Sequence, residues 1–243
     1  IILTTKNSAT TLRALLESCR RQTYQRWELV VVDNHSTDST CEIAAEFTSN
    51  VFQQGPERSA QRNYGAAHAS GEWLLILDSD MELSATVIEE CVQRLSHEPA
   101  VKGFIIPEES FGEGFWAQCK ALERSCYVGD DDIEAVRFVQ RAAFLELGGF
   151  DESLTGTEDW DFSQRLRARC PVKRIAGMIR HNEGRLSLWA TMRKKAYYAK
   201  SFSAYARKYP GHIARQGNLL FRAAYFRHWR RLVSGGCAAR DTL

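Results

Sequence analysis

The sequence predicts an α/β fold built on an open, mostly parallel sheet. Three observations carry that reading. Strand-like and helix-like stretches alternate at βαβ spacing through the first part of the chain. The stretch ELVVVDN, from Glu28, is nearly all apolar, as a strand buried on both faces of a parallel sheet must be. Polar residues gather just after the strands, at 5–7, 33–38 and 78–80, and ligands bind at the carboxyl ends of such strands.

The elements follow in order. Residues 1–5 form a short apolar strand, and Ser8 or Thr10 is placed to cap a helix running to about Gln22. After the ELVVVDN strand, Asp38 or Ser39 starts a helix through Phe47. Residues 51–53 are a third strand, 59–69 a helix and 72–78 a fourth strand. Beyond them, 101–106 reads as a strand, 115–126 as a helix, and 148–156 as a glycine-bearing loop. The loop leads into TEDWDFSQRLRARC, where Phe162 and Leu166, and Asp161 and Arg165, stand four apart as on a helix. KRIAGMIRH, residues 173–181, is expected to be one further strand. From Leu188 the pattern is helical again: Tyr198, Phe202, Tyr205 and Tyr209 share a stripe, with Arg193, Lys200 and Arg207 roughly opposite. Pro210-Gly211 ends that helix, and a second aromatic and basic segment, FRAAYFRHWRRLV, follows. There is no internal repeat and no low-complexity segment.

Composition bounds the function. With 243 residues, 44% of them hydrophobic, the chain can build a sizeable core and is not a disordered sequence. No apolar run approaches the roughly 18 to 20 residues of a membrane span, and IILTTKN carries no signal-like region, so the chain reads as cytoplasmic. Seven cysteines without a C-x-x-C pair argue against a disulfide framework or a zinc site and for reduced, mostly buried thiols. The net charge of +2 hides an asymmetry: from Gly184 onward there are thirteen Lys and Arg and one acid, Asp241, behind an acidic body. Such a tail suits an anionic partner: a phospholipid surface, a phosphate-bearing acceptor or nucleic acid.

Three acidic motifs carry candidate chemistry. In LLILDSDMEL a buried strand runs into Asp78 and Asp80, whose side chains share a face in extended chain. One or two carboxylates, completed by substrate phosphates and water, commonly hold Mg²⁺, although Asp and Ser are also ordinary turn formers. In VVDNHSTDST the strand-end Asp33 is placed to accept hydrogen bonds from a base or ribose, or to form an Asx turn before a helix. Glu158 and Asp159 stand at a helix start, where a carboxylate serves either as a favourable charge on the helix dipole or as a general base.

The order VDN-x-S-T-D, R-S-A-Q-R-N, G-E-W-L-L-I-L-D-S-D, G-G-F-D-E, T-E-D-W-D closely resembles the family-2 glycosyltransferases of the GT-A fold, over about residues 1–184. The resemblance implies a Rossmann-like, mostly parallel central sheet flanked by helices, with a C-terminal helical basic and aromatic extension. It implies a catalytic domain over 1–184, its nucleotide-binding half at 1–100 and its acceptor and catalytic half at 101–184, and a tail over 185–243. The implied reaction is inverting transfer of a sugar from a nucleoside-diphosphate sugar, UDP-linked in preference to GDP-linked, with Mg²⁺ or Mn²⁺ as cofactor. By the same resemblance Thr5, Asn7 and Asp33 bind the nucleoside, Arg62 lies near the base or diphosphate, and Asp78 holds the ribose or the metal shell. Asp80 ligates the metal, His181 matches a second metal-ligand position, Asp159 is the catalytic base, and Glu158 and Trp160 line the donor sugar or acceptor. Lys6 departs from the aromatic or arginine of many relatives, which bears on the base. The Q-x-x-R-W motif of processive synthases is not present, which favours transfer of a single sugar.

The acceptor is expected to be lipid-linked, a soluble saccharide or protein acceptor being the alternative. Trp116, Lys120, Arg124 and Arg137, between the metal and base motifs, are candidate acceptor or diphosphate contacts. The aromatic stripe either packs on the core or meets lipid at the inner face of the cell membrane, where Arg227, Trp229, Arg230 and Arg231 also suit an interface. Two rivals remain. A nucleotidyltransferase would show a glycine-rich basic loop after the first strand, where TTKNSATT has no glycine. A non-enzymatic module binding nucleic acid or membrane through the basic tail leaves the ordered acids unexplained, and no nucleic-acid partner is expected.

Overall fold

The structure, a computed structural model, describes residues 1–212; the second basic and aromatic segment, including Arg227, Trp229, Arg230 and Arg231, lies outside the described residues. The chain runs β1 (Ile2–Thr5), α1 (Leu12–Arg20), β2 (Val30–Asp33), α2 (Thr40–Ala45), β3 (Val51–Gln53), α3 (Arg58–His68) and β4 (Trp73–Asp78). It continues through β5 (Met81–Leu83), α4 (Val87–His97), β6 (Gly103–Ile105), β7 (Glu108–Glu113), α5 (Gly114–Ser125), β8 (Val136–Gln140) and α6 (Arg141–Glu146). It closes with α7 (Glu158–Arg167), β9 (Val172–Arg174), β10 (Ile179–Arg185) and α8 (Leu188–Lys208).

Seven strands form one sheet in the order β3-β2-β1-β4-β8-β6-β9, and β5-β10-β7 form a second of three. The first four positions of the large sheet are mutually parallel, while β8 enters antiparallel to both β4 and β6. Alternation along β1 shows why the sheet needs cover on both faces. Leu3 points into a core with Leu12, Leu15 and Leu16 of α1 and Val87 and Ile88 of α4. Ile2 points the other way, among Val32, Ala66 of α3, Phe144 and Phe162. Helix α3 comes very close to the sheet: a Cβ on Gly65 would sit 2.6 Å from Ile2 Cγ2.

The expected segment 173–181 is two strands, not one. Glu90 of α4 accepts hydrogen bonds from the backbone N–H of Ala176 and Gly177, 2.7 Å each, and pins a break there. Chain before the break joins the large sheet through β6, and chain after it pairs with β5 and β7. The start of α1 also differs. Thr11 precedes the helix without a side-chain cap, and the Ser8 carbonyl instead accepts from the N–H groups of Thr11 and Leu12. Before α2, Asp38 does cap, accepting from Thr40 N and Oγ1. Of the described cysteines only Cys19 and Cys91 are buried, so the thiols are less enclosed than expected. Among the described residues no helix is long and apolar enough to cross a membrane.

Candidate active site

The parallel strands deliver their last residues side by side: Thr5 pairs with Asp33, and Thr4 with Asp78. Asp33 is fully buried and already satisfied, accepting from Thr5 Oγ1 at 2.7 Å, Ser36 N at 2.7 Å and Ser36 Oγ at 2.5 Å. Burial pushes its carboxyl up, but the Ser36 and Thr5 hydrogen bonds outweigh that and hold it below the usual aspartate value. Asn7, at φ 48°, donates its backbone N–H to Ser36 Oγ and accepts from Thr37 N, which ties the 5–8 loop to the 33–38 loop. The three nucleoside candidates therefore occupy one rim and brace one another.

Beside that rim three carboxylates and three guanidinium groups interlock. Arg62, without exposed side-chain surface, reaches Asp78 Oδ1 and Asp159 Oδ1 at 2.8 Å each and Glu158 Oε1 at 3.5 Å. Arg58 lies 3.2 Å from Glu158 Oε1 and 3.9 Å from Asp78 Oδ2. Arg137 on β8 lies 3.6 Å from Asp78 Oδ2 and 3.8 Å from Asp159 Oδ2, and donates from Nε to Glu108 Oε1 at 2.9 Å. Burial alone would push the Asp78 carboxyl up; Arg62, Arg137 and Arg58 outweigh it and hold it well below the usual carboxylate range. Arg58 and Arg62 stand four apart on one helix face, a spacing visible in R-S-A-Q-R-N, although the sequence reading singled out only Arg62. Phe150, from the G-G-F-D-E loop, lies under the Arg62 guanidinium, 5.0 Å from its ring centroid.

Asp80 and His181 meet across the junction of the two sheets, Oδ2 to Nε2 3.1 Å. The register of β10 on β5 sets this contact by opposing His181 to Met81, the residue after Asp80. On the other side of the imidazole, Nδ1 is 3.6 Å from Glu108 Oε2. Burial pushes the His181 imidazole down, but hydrogen bonding to Asp80 and Glu108 wins and brings it up to about 9. A carboxylate and an imidazole facing each other, with a second carboxylate behind the imidazole, is a donor set that fits a divalent cation. Among the described residues no three His, Cys, Asp or Glu side chains converge at metal-binding spacing. A cation there needs oxygens from its substrate. Glu108 had no signal in the sequence; its place is set by β7, where it pairs with Ile179 of β10, and Arg124 of α5 also engages it.

The aromatic candidates lie elsewhere. Trp160 donates its indole N–H to the Ile133 carbonyl and packs 5.9 Å from the Tyr205 ring, so it braces the helix that bears Asp159. Trp116 is 45% exposed on α5, its ring edge-on to Phe115 at 5.1 Å. Lys120 pairs with Glu123 of its own helix. The stripe on α8 is split: Tyr205 is fully buried with its hydroxyl accepting from Gln164 and Tyr209 donates to Asp161, while Phe202 is 39% exposed.

This fold is of the GT-A class, a mostly parallel central sheet flanked by helices. The family model for glycosyl transferase family 2 matches residues 1–140, and a glycosyltransferase-like family 2 model matches 131–225. The chain belongs to glycosyl transferase family 2. A PGL/p-HBAD biosynthesis glycosyltransferase of Mycobacterium bovis is 31% identical over 176 residues, which is 68% of this chain and 68% of that protein. The GalNAc(5)-diNAcBac-PP-undecaprenol beta-1,3-glucosyltransferase of Campylobacter jejuni is 25% identical over 175 residues, 65% of this chain and 56% of its own length. The chain thus spans between about half and two thirds of these curated relatives. A mannosyltransferase from Pyrobaculum calidifontis, solved with GDP-Man and Mn²⁺, superposes with TM-score 0.66 at 18% identity over 100% of this chain and 75% of its own, a likeness of fold.

Proposed function

We propose that the chain transfers a single sugar, with inversion, from a nucleoside-diphosphate sugar to an acceptor hydroxyl or phosphate, the donor UDP-linked in preference to GDP-linked. The observation that carries this reading is the carboxylate Asp159, held by Arg62 at the mouth of the parallel strands with a quarter of its side chain exposed. Arg62 occupies Oδ1 at 2.8 Å, while Oδ2 stands 3.8 Å from Arg137, beyond hydrogen-bond reach. One oxygen is therefore available to accept the proton of an attacking hydroxyl. The acceptor oxygen bonds to the anomeric carbon as the bond to the diphosphate breaks on the opposite face, and the acceptor proton passes to Asp159.

In this reading Thr5, Asn7 and Asp33 bind the nucleoside, Asp78 holds the ribose or the metal shell, and Arg62 keeps the catalytic carboxylate Asp159 in position, with Arg58 on Glu158 and Asp78. Asp80 and His181 would hold Mg²⁺ or Mn²⁺, which when bound stabilises the charge that develops on the leaving diphosphate. Glu108 orients the His181 ring, as second carboxylates do behind metal-bound histidines. Trp116 and Arg124 border the acceptor side, and the undecaprenol-linked glucosyltransferase among the relatives supports a lipid-linked acceptor. The chain would then work at the inner face of the cell membrane.

Calorimetric titration of UDP and of GDP, with Mn²⁺ and then with EDTA, tests the donor and metal parts. Binding that needs the cation and disappears in Asp80→Ala is the expected result. A folded protein that binds neither nucleotide under any of these conditions would sink the proposal.

A further inference from the structure

Strands β7 and β10 run parallel as neighbours, and their last residues, Glu113 and Arg185, pair in register. From that end each strand leads into a helix, α5 and α8, so both helices begin at one edge of the small sheet.

The first turns at this edge expose large apolar side chains that have core-like chemistry and no core: Phe115 68%, Trp116 45%, Leu188 48%, Trp189 77% and Met192 53%. On α8 the positions 188, 189 and 192 share one face, and on α5 the two aromatic rings meet edge-on at 5.1 Å. Around them stand exposed Arg185, Arg193, Lys194 and Lys195, and the whole of α8 contains no Asp or Glu. One exposed acid, Glu113, stands at the same edge opposite Arg185, so the rim is net basic, and exposed apolar surface rimmed by polar groups marks an interaction face.

We propose that this edge seats the protein on an anionic lipid bilayer. Its apolar side chains enter the headgroup boundary, and its arginines and lysines meet lipid phosphates. Charge decides between occupants. Residues 213–243 carry six arginines and one acid, so that segment repels a basic rim, and a second copy would oppose one basic rim to another. The face is distinct from the buried Tyr205, and it does not depend on the catalytic assignments. It does place the bilayer near them: His181 and Arg185 are four residues apart on one strand, about 13 Å at strand rise.

The test is flotation of the full chain with vesicles of phosphatidylcholine alone or mixed with phosphatidylglycerol. Binding is expected only with the anionic lipid, weakening as salt is raised. Replacing Trp189 and Met192 together by Asp should lower binding roughly tenfold or more. Lys194→Gln with Lys195→Gln should lower it about 25-fold, since each base near the surface contributes about fivefold. Leu145→Asp, an exposed apolar position on α6, should change nothing. Unaltered melting and Mn²⁺-dependent nucleotide binding in these variants keep a loss of lipid binding separate from a failure of the fold or of the donor site. Failure to float with anionic vesicles overturns the inference, as does equal flotation with both lipids. Wild-type flotation by the Trp189 and Met192 variant would move the lipid contact to another part of the chain. Self-association abolished by Trp189→Asp would assign the face to a second copy instead.

Discussion

At Asp159 the proposed base role sets two demands on one side chain, which must be held still and must keep an oxygen free to take a proton. Arg62 meets the first through Oδ1, and Oδ2 meets the second. Asp159→Asn keeps size and one acceptor oxygen but loses the basic one. Its expected outcome is nucleotide binding within error of wild type and transfer reduced by about 10²- to 10⁴-fold, read by steady-state kinetics beside calorimetry. Arg62 is a different case, since it touches three carboxylates from a fully buried position. Arg62→Met removes the cation and leaves Asp78 and Glu158 buried without it, which should cost about 3–5 kcal/mol in urea unfolding and lower activity with it. Asp33 gives a pH prediction. Its folded value lies below the ordinary aspartate value of about 3.9, so its contribution is fully present above that value and is lost as pH falls through the lower, folded one. Asp33→Asn should therefore lower the melting temperature near neutrality and flatten its decline under acid conditions.

The elements divide by how local their causes are. β2 was legible because Val30, Val31 and Val32 are apolar on both faces, and the alternation with α2 and α3 followed from spacing alone. The places of Asp78, Asp80 and Asp159 follow from local pattern: Asp78 ends β4, Asp80 stands in the turn before β5, and Asp159 lies in the first turn of α7. Glu108 was not legible in this way, since its role exists only once β7 lies beside β10, more than seventy residues away in the chain. The break inside 173–181 was hidden for the same reason: a single carboxylate on α4 makes it, and sequence periodicity does not register Glu90 as a partner of Ala176. Arg137 was expected as an acceptor or diphosphate contact, and its place as the link between Glu108 and the Asp78–Asp159 pair had no signal in the sequence. An element-scale prediction follows from α3. Gly65→Ala would set a methyl 2.6 Å from Ile2 Cγ2 and 3.3 Å from Val32 Cγ2, both branched close to buried strand backbone. Helix and sheet must separate, at about 1–3 kcal/mol of stability, and amide exchange in β1 should quicken before that in β6.

At the scale of the whole molecule, α8, the last helix of the described residues, packs on the helix that carries Asp159. Helix α7 presents Glu158 and Asp159 at its first turn, and α8 and the residue that follows it bond to its later turns. Gln164 donates to Tyr205 Oη at 2.7 Å, Tyr209 donates to Asp161 at 2.8 Å, and Ser201 donates to the Thr155 carbonyl at 2.7 Å. Trp160, the residue after Asp159, packs on the same Tyr205 ring. Any loosening of α8 therefore reaches Asp159 through the helix that carries it. Tyr205→Phe keeps the ring and removes one hydrogen bond, at about 1 kcal/mol. Tyr205→Ala removes the ring from a fully buried site and should cost about 3–5 kcal/mol. If α8 acts as a clamp, transfer at a temperature where both variants remain folded should fall in Tyr205→Ala, through turnover and not through nucleotide affinity, and change little in Tyr205→Phe. Equal turnover in wild type and Tyr205→Ala would show that α7 holds Asp159 without help, and that the tail helix serves stability alone.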